Sequence, residues 1–211
     1  SEFGVPLTIL GEKSGWNSPI RWFFIIARGL FVPFQKEYPT HLVLEIGADR
    51  PGDIEAITSW IKPDITIVTQ FGEVPVHIEF FKDRDAVIQE KSYLVRALKE
   101  TGLFIYNKDD HDARKLLEIT NAQKMSIGIH EEADVRAQNV HLYGTPIEGT
   151  EAEINIGDVK HTLVLPQVVG RSPVYSALPA IAVATYLDVP LSTACGALHD
   201  EPKPKGRMRV L

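Results

Sequence analysis

The chain has 211 residues, 44% hydrophobic and 24% charged, which is the balance of a globular protein with one sizeable domain or one domain and an appendage. Its formal charge of −6 argues against a nucleic-acid partner and against a general membrane-surface role. The single cysteine, Cys195, excludes an internal disulfide or a cysteine-built metal site and fits a reducing, cytoplasmic setting.

The opening SEFGVPLTIL enters apolar sequence with no initiator Met, and the chain reads as truncated at both ends. The longest apolar stretch, IRWFFIIARGLFVPF at 20–34, is too short to span a bilayer and contains Arg21 and Arg28. It reads as a core helix, and no membrane insertion is expected. HLVLEIG (41–47) reads as a buried strand ending at Glu45, and GDIEAITSWI as the helix after it. DITIVTQ (64–70) reads as a second strand. RDAVIQEKSYLVRALKETG (84–102) reads as a long helix stopped by Gly102. LFIYN (103–107) and KMSIGIH read as strands, with the helix HDARKLLEIT between them. This alternation predicts an α/β fold, a mostly parallel sheet flanked by helices on both faces.

Beyond residue 130 the period becomes two. ADVRAQNVHLYG and TEAEINIGDVKHTLVLP predict a small antiparallel β subsheet with a turn at Gly157-Asp158. Two helices close the chain, SPVYSALPAIAVATYLDV, with a kink expected at Pro179, and PLSTACGALHD. DEPKPKGRMRVL reads as a linker and the beginning of a further element.

Ligands of open parallel sheets bind beyond the carboxyl ends of the strands. Three predicted strands end in polar groups: Glu45; Gln70 and then His77; and Asn107 with Asp109 and Asp110. Carboxylate, imidazole and amide on one rim suit a hard divalent ion held with a nucleotide phosphate. The 211 residues contain no G-x-x-x-x-G-K-[ST] and no G-x-G-x-x-G.

FGVPLTIL, VLEIGADRPGDI, VPVHIEFF, NKDD, GRSPVYSALPAIAVA and KGRM, in that order, resemble segments of the central domain of the Mur ligases. The likeness covers essentially the whole chain and leans to the branch that adds D-alanyl-D-alanine to a UDP-N-acetylmuramoyl-tripeptide. It implies an ATP-dependent amide ligase of peptidoglycan synthesis working through an acyl phosphate. It implies ATP and Mg2+ as cofactors and the nucleotide and a UDP-muramoyl-peptide as partners. Glu45 and His77 would be magnesium ligands. Lys91, fourteen residues after His77, would be a carbamylated lysine contributing to the second metal and to catalysis. Asn107, Asp110, Ser176 and Arg207 would lie at the nucleotide. Where the family carries a His-Asn pair and then Asn, this chain has Ser172, Pro173 and Ser176.

The resemblance divides the chain into a central domain at 1–199, without its phosphate-binding loop, and a linker into the C-terminal ligase domain at 200–211. By itself the 211-residue chain is then expected to be inactive. Two alternatives stay open: another ligase of this fold, of the folylpolyglutamate or cyanophycin type, and a non-catalytic scaffold that inherited it.

Overall fold

The structure, a computed structural model, describes residues 4–72 and 78–201. The chain forms two compact units, Ser1–Ile61 with Val74–Tyr93, and Lys62–Glu73 with Leu94–Leu211.

The second unit holds a six-stranded sheet whose strand order follows the sequence: β1 (Ile65–Val68), β2 (Leu103–Asn107), β3 (Gln123–Gly128), β4 (Val135–Tyr143), β5 (Gly149–Ile156) and β6 (Val159–Pro166). β1 to β4 pair in parallel, and β4 to β6 are antiparallel. The expected α/β architecture with an antiparallel subsheet is therefore present. Alternation separates the two faces of the parallel part. Leu103, Ile105 and Ile127 join one core with Val174, Leu178 and Ile181 of α6 (Arg171–Tyr186). The intervening Phe104 is fully buried on the opposite face, where Thr66, its register partner, donates to the Leu94 carbonyl at 3.2 Å. α7 (Leu191–Asp200) adds Cys195 to the α6 core, and burial raises the Cys195 thiol pKa to about 11. α6 runs continuously through Pro179.

The β5–β6 turn is Gly157-Asp158 as expected, with φ +56° at Gly157 placing the glycine where a II′ turn needs it. The β3–β4 connection is unusual. Parallel neighbours ordinarily need a crossover of a dozen or more residues. Here residues 129–134 suffice because only Ile127 and Gly128 pair with Val135 and Arg136. Side chains close this short loop. The Asp134 carboxylate accepts from the Ser126 amide at 2.7 Å and its hydroxyl at 2.6 Å.

The first unit contains α1 (Gly4–Leu10), α2 (Pro19–Phe31), α3 (Asp53–Thr58) and most of α4 (Arg84–Arg96). α2 starts cleanly, with the Ser18 hydroxyl accepting from the Arg21 amide and Pro19 in its first turn.

Three expectations need correction. Residues 41–47 form no strand. They carry no regular secondary structure, Val43 is 89% exposed, and among the described residues no strand pairs with them to satisfy their backbone groups. The long helix stops at Arg96, not at Gly102. Gly102 serves a close approach instead, since a Cβ there would lie 2.5 Å from the Asp64 carbonyl oxygen. The apolar stretch 20–34 is helical but not a core helix: of α2 only Ile25 is buried. Apolar composition predicted burial, whereas the helix meets α1 along one narrow face where Leu10 reaches within 3.3 Å of a Cβ built on Gly29.

Candidate functional site

In the second unit the loops after β1, β2 and β3 leave the sheet at one rim because the strands are parallel. Residues 107–110, NKDD, bind this rim together. Asn107 is buried at the end of β2, and its side-chain oxygen accepts from the Asp109 amide at 3.0 Å. Asp110 caps α5 (His111–Lys115), with Oδ1 accepting from the Asp112 and Ala113 amides at 2.9 and 3.0 Å. Its Oδ2 accepts from the Phe71 amide at 2.7 Å and so fixes the loop that follows β1.

Asp109 holds the loop after β3. Its carboxylate accepts from three successive amides, Ile129 (2.6 Å), His130 (3.1 and 3.2 Å) and Glu131 (2.7 Å), and from the Tyr175 hydroxyl of α6 (2.7 Å). Partial burial would raise its pKa. The hydrogen bonds from Ile129, Tyr175, Glu131 and His130 outweigh that and hold it below the ordinary carboxylate value. The same burial and the facing carboxylate push the Tyr175 phenol well up, so it stays a proton donor. Gly128 leaves the clasp uncrowded, since a Cβ there would come within 3.3 Å of Asp109 Oδ1.

Tyr175 thereby brings the first turns of α6 to the rim, and with them Ser176. The Ser176 hydroxyl is exposed and donates to the Ser172 carbonyl at 3.2 Å. Also in this unit, a groove of about 460 Å³ is lined by Ile129, His130, Arg136, Gln138, Val140 and Arg171, among others. The Nε of Arg136 is buried there with no partner among the described residues, while its Nη2 donates to the His130 carbonyl.

Of the predicted nucleotide residues, Asn107, Asp110 and Ser176 thus belong to one rim. Asp110 is committed to three backbone amides, which makes it a residue that shapes the rim. Arg207 lies outside the described residues, as does His77.

Glu45 and Lys91 belong to the first unit. Glu45 is exposed, and among the described residues its carboxylate has no ion-pair or hydrogen-bond partner. Lys91 is half-buried on α4. The residue before it, Glu90, is buried, and its carboxylate accepts from the amides of Gly52 (2.9 Å) and Ile54 (2.7 Å). It therefore serves as the anion at the start of α3, a short helix whose first-turn amides lack a side-chain cap of their own. The clasp holds the turn that follows Glu45 against the helix that carries Lys91. Sequence reasoning missed Glu90 and Tyr175. The available signal for Glu90 was a charge three residues from Val87 on the buried stripe of α4. Among the described residues no group of three or more His, Cys, Asp or Glu is gathered as a metal cluster.

A family described as the Mur ligase middle domain matches residues 30–184. The UDP-N-acetylmuramoyl-tripeptide–D-alanyl-D-alanine ligase of Buchnera aphidicola is 27% identical over 81% of this chain and 36% of its own. The UDP-N-acetylmuramoyl-L-alanyl-D-glutamate–2,6-diaminopimelate ligase of Chlamydia caviae is 32% identical over 63% of this chain and 27% of its own. The chain thus spans about a third of the length of these relatives. Among solved structures, the MurF ligase of Thermotoga maritima in complex with ADP superposes with a TM-score of 0.73 at 21% identity, over 100% of this chain and 47% of that one. That likeness shows the fold.

Proposed function

As the chain belongs to the Mur ligase family through its middle domain, we propose that it supplies the nucleotide- and metal-facing part of an ATP-dependent amide ligase of peptidoglycan synthesis. The observation that carries this reading is the family match over residues 30–184, which spans Glu45, His77, Lys91, Asn107, Asp110 and Ser176. The proposed reaction activates a substrate carboxylate as an acyl phosphate with ATP, and an incoming amine then displaces the phosphate. The branch we favour joins D-alanyl-D-alanine to a UDP-N-acetylmuramoyl-tripeptide. It is supported by the likeness to the Buchnera ligase, which carries that name.

The donor set suits Mg2+. Glu45 offers an exposed carboxylate without a competing partner among the described residues, a hard ligand for a hard ion. We assign His77 as a second ligand. Lys91, as a carbamate, contributes the further anion, and Glu90 fixes the helix that presents it. The metal, when bound, neutralises phosphate charge. In the second unit Asn107 and Ser176 line the rim where the nucleotide is expected, and Asp110 fixes the loops around it. Arg171 and Arg136 supply positive charge in the groove of that unit, which favours an anionic ligand. We assign Arg207 to the nucleotide. We further propose that residues 1–199 are the central domain and 200–211 a linker toward a C-terminal ligase domain. The proposed setting is the cytoplasm.

The test is calorimetry with Mg-ATP together with a ligation assay. The 211 residues contain no phosphate-binding loop, so alone they are expected to give neither ligation nor micromolar binding. In the protein that contains them together with that loop, Glu45→Ala and Lys91→Ala are each expected to abolish ATP-dependent ligation. Turnover equal to wild type in both variants would overturn the assignment.

A further inference from the structure

The exposed face of α2 has no role in the proposed ligase chemistry. Ile20, Phe23, Phe24, Leu30, Phe31 and Phe34 are each between 65% and 80% exposed. At 3.6 residues per turn the first five fall at i, i+3, i+4, i+10 and i+11, a single arc of the helix, and Phe34 extends it through the short 3-10 turn at Val32–Phe34. The opposite arc carries Trp22, Ile25 and Gly29 and is the one that faces α1. The loop before the helix adds Trp16, 81% exposed. It is pinned in place by the Trp22 indole, which donates to its carbonyl at 3.0 Å. Six such side chains amount to an exposed apolar patch on the order of 800 Å², above the largest patch of an ordinary monomer.

Charge indicates what covers it. No Asp or Glu falls between Lys13 and Lys36, a stretch that holds Lys13, Arg21, Arg28 and Lys36, although the whole chain has 28 acidic residues against 22 basic ones. Arg21 and Arg28 lie seven residues apart along one border of the apolar arc, and Arg28 pairs with Glu12 at 2.9 Å. The arc is a convex ridge of bulky aromatics and aliphatics. A protein partner would need a matching groove, and a second copy laid against it would offer Arg21 no acid on either helix. A lipid surface needs no groove and supplies the anions. No helix among the described residues is long and apolar enough to cross a membrane, so the helix lies in the plane of the surface.

We infer that α2 is an interfacial helix that docks this chain on an anionic lipid surface, with Phe23, Phe24 and Phe31 entering the acyl boundary and Arg21 among the headgroups. The global charge of −6, which argues against a general membrane-surface role, does not describe this segment.

The test is flotation of the 211-residue chain with vesicles of phosphatidylcholine and phosphatidylglycerol in equal parts, and with phosphatidylcholine alone. Flotation is expected with the anionic vesicles, several-fold weaker with the neutral ones, and reduced by added salt. The triple variant Phe23→Ser, Phe24→Ser, Phe31→Ser is expected to float at least about tenfold less, with its circular dichroism unchanged because these side chains are exposed. Arg21→Glu is expected to weaken only the binding to anionic vesicles. A chain that stays in the dense fraction would overturn the inference, and so would a triple variant that floats like wild type. A vesicle-free dimer dissolved by the triple variant would assign the face to a second copy instead.

Discussion

Asn at position 109 should cost the second unit stability, in a way that pH exposes. The residue clasps a six-residue connection between parallel strands, which has no crossover helix to hold it. Asp109 Oδ2 takes the Ile129 amide and the Tyr175 hydroxyl, and Oδ1 takes the Glu131 amide, all at 2.7 Å or less. Asn retains one oxygen. Placed at Oδ2, it leaves Glu131 unpaired and sets its own N–H against that amide. A hydrogen bond to a charged acceptor contributes about 1.5–3 kcal/mol net. Asp109 is only partly buried, so water recovers some of the loss. The expectation is about 1–2 kcal/mol for Asp109→Asn and about 3 kcal/mol for Asp109→Ala. The folded-state pKa lies below the ordinary aspartate value, as the hydrogen bonds to the carboxylate outweigh its partial burial. The stabilisation is therefore complete above the unfolded value and lost as pH falls through the folded one. Urea unfolding monitored by fluorescence should show a constant gap between wild type and Asp109→Asn from about pH 5 to 8, narrowing below about pH 4. Equal stability at pH 7, or a gap that persists undiminished in acid, would refute the reasoning.

Two further outcomes follow from single side chains. Glu90→Ala orphans the amides of Gly52 and Ile54 and should destabilise the first unit by about 2–4 kcal/mol. Hydrogen exchange at residues 52–54 should accelerate, with Glu90→Gln recovering about half, and unchanged exchange in the Ala variant would dismiss the clasp. Gly102→Ala drives a Cβ toward the Asp64 carbonyl and should lower stability by about 2 kcal/mol or more, read as a drop in Tm. A Tm equal to wild type would show that the β1 entrance can yield.

Legibility in the sequence followed burial. LFIYN became β2 without a residue's error because a strand covered on both faces writes itself as a continuous apolar run. Gly157-Asp158 was legible because a two-residue turn needs a glycine at that place. The same rule failed at HLVLEIG and at IRWFFIIARGLF, where apolar composition records what a segment can bury and not what meets it. At the rim, polarity at a strand end pointed to Asn107, Asp109 and Asp110 together, but not to which carboxylates the backbone consumes. Asp109 and Asp110 look alike in NKDD, and only the fold reveals that one staples the loop after β3 while the other caps a helix. Glu90 was hidden because its partners, Gly52 and Ile54, are amides some 36 to 38 residues away.

The order of the six strands bears on how the sheet assembles. The connections shorten along the chain: 34 residues between β1 and β2, then 15, 6 and 5, and 2 between β5 and β6. Closure entropy grows as the logarithm of loop length, so bringing β1 to its place costs about 2.5 kcal/mol more than forming the final hairpin. Assembly is therefore expected to start at the carboxyl end, with the β5–β6 hairpin as template and β1 the last strand added. A ribosome delivers these strands in the opposite order. The β1 to β3 segments therefore wait, unpaired, for the residues that nucleate them, and it is during synthesis that their apolar runs are most open to association with other chains.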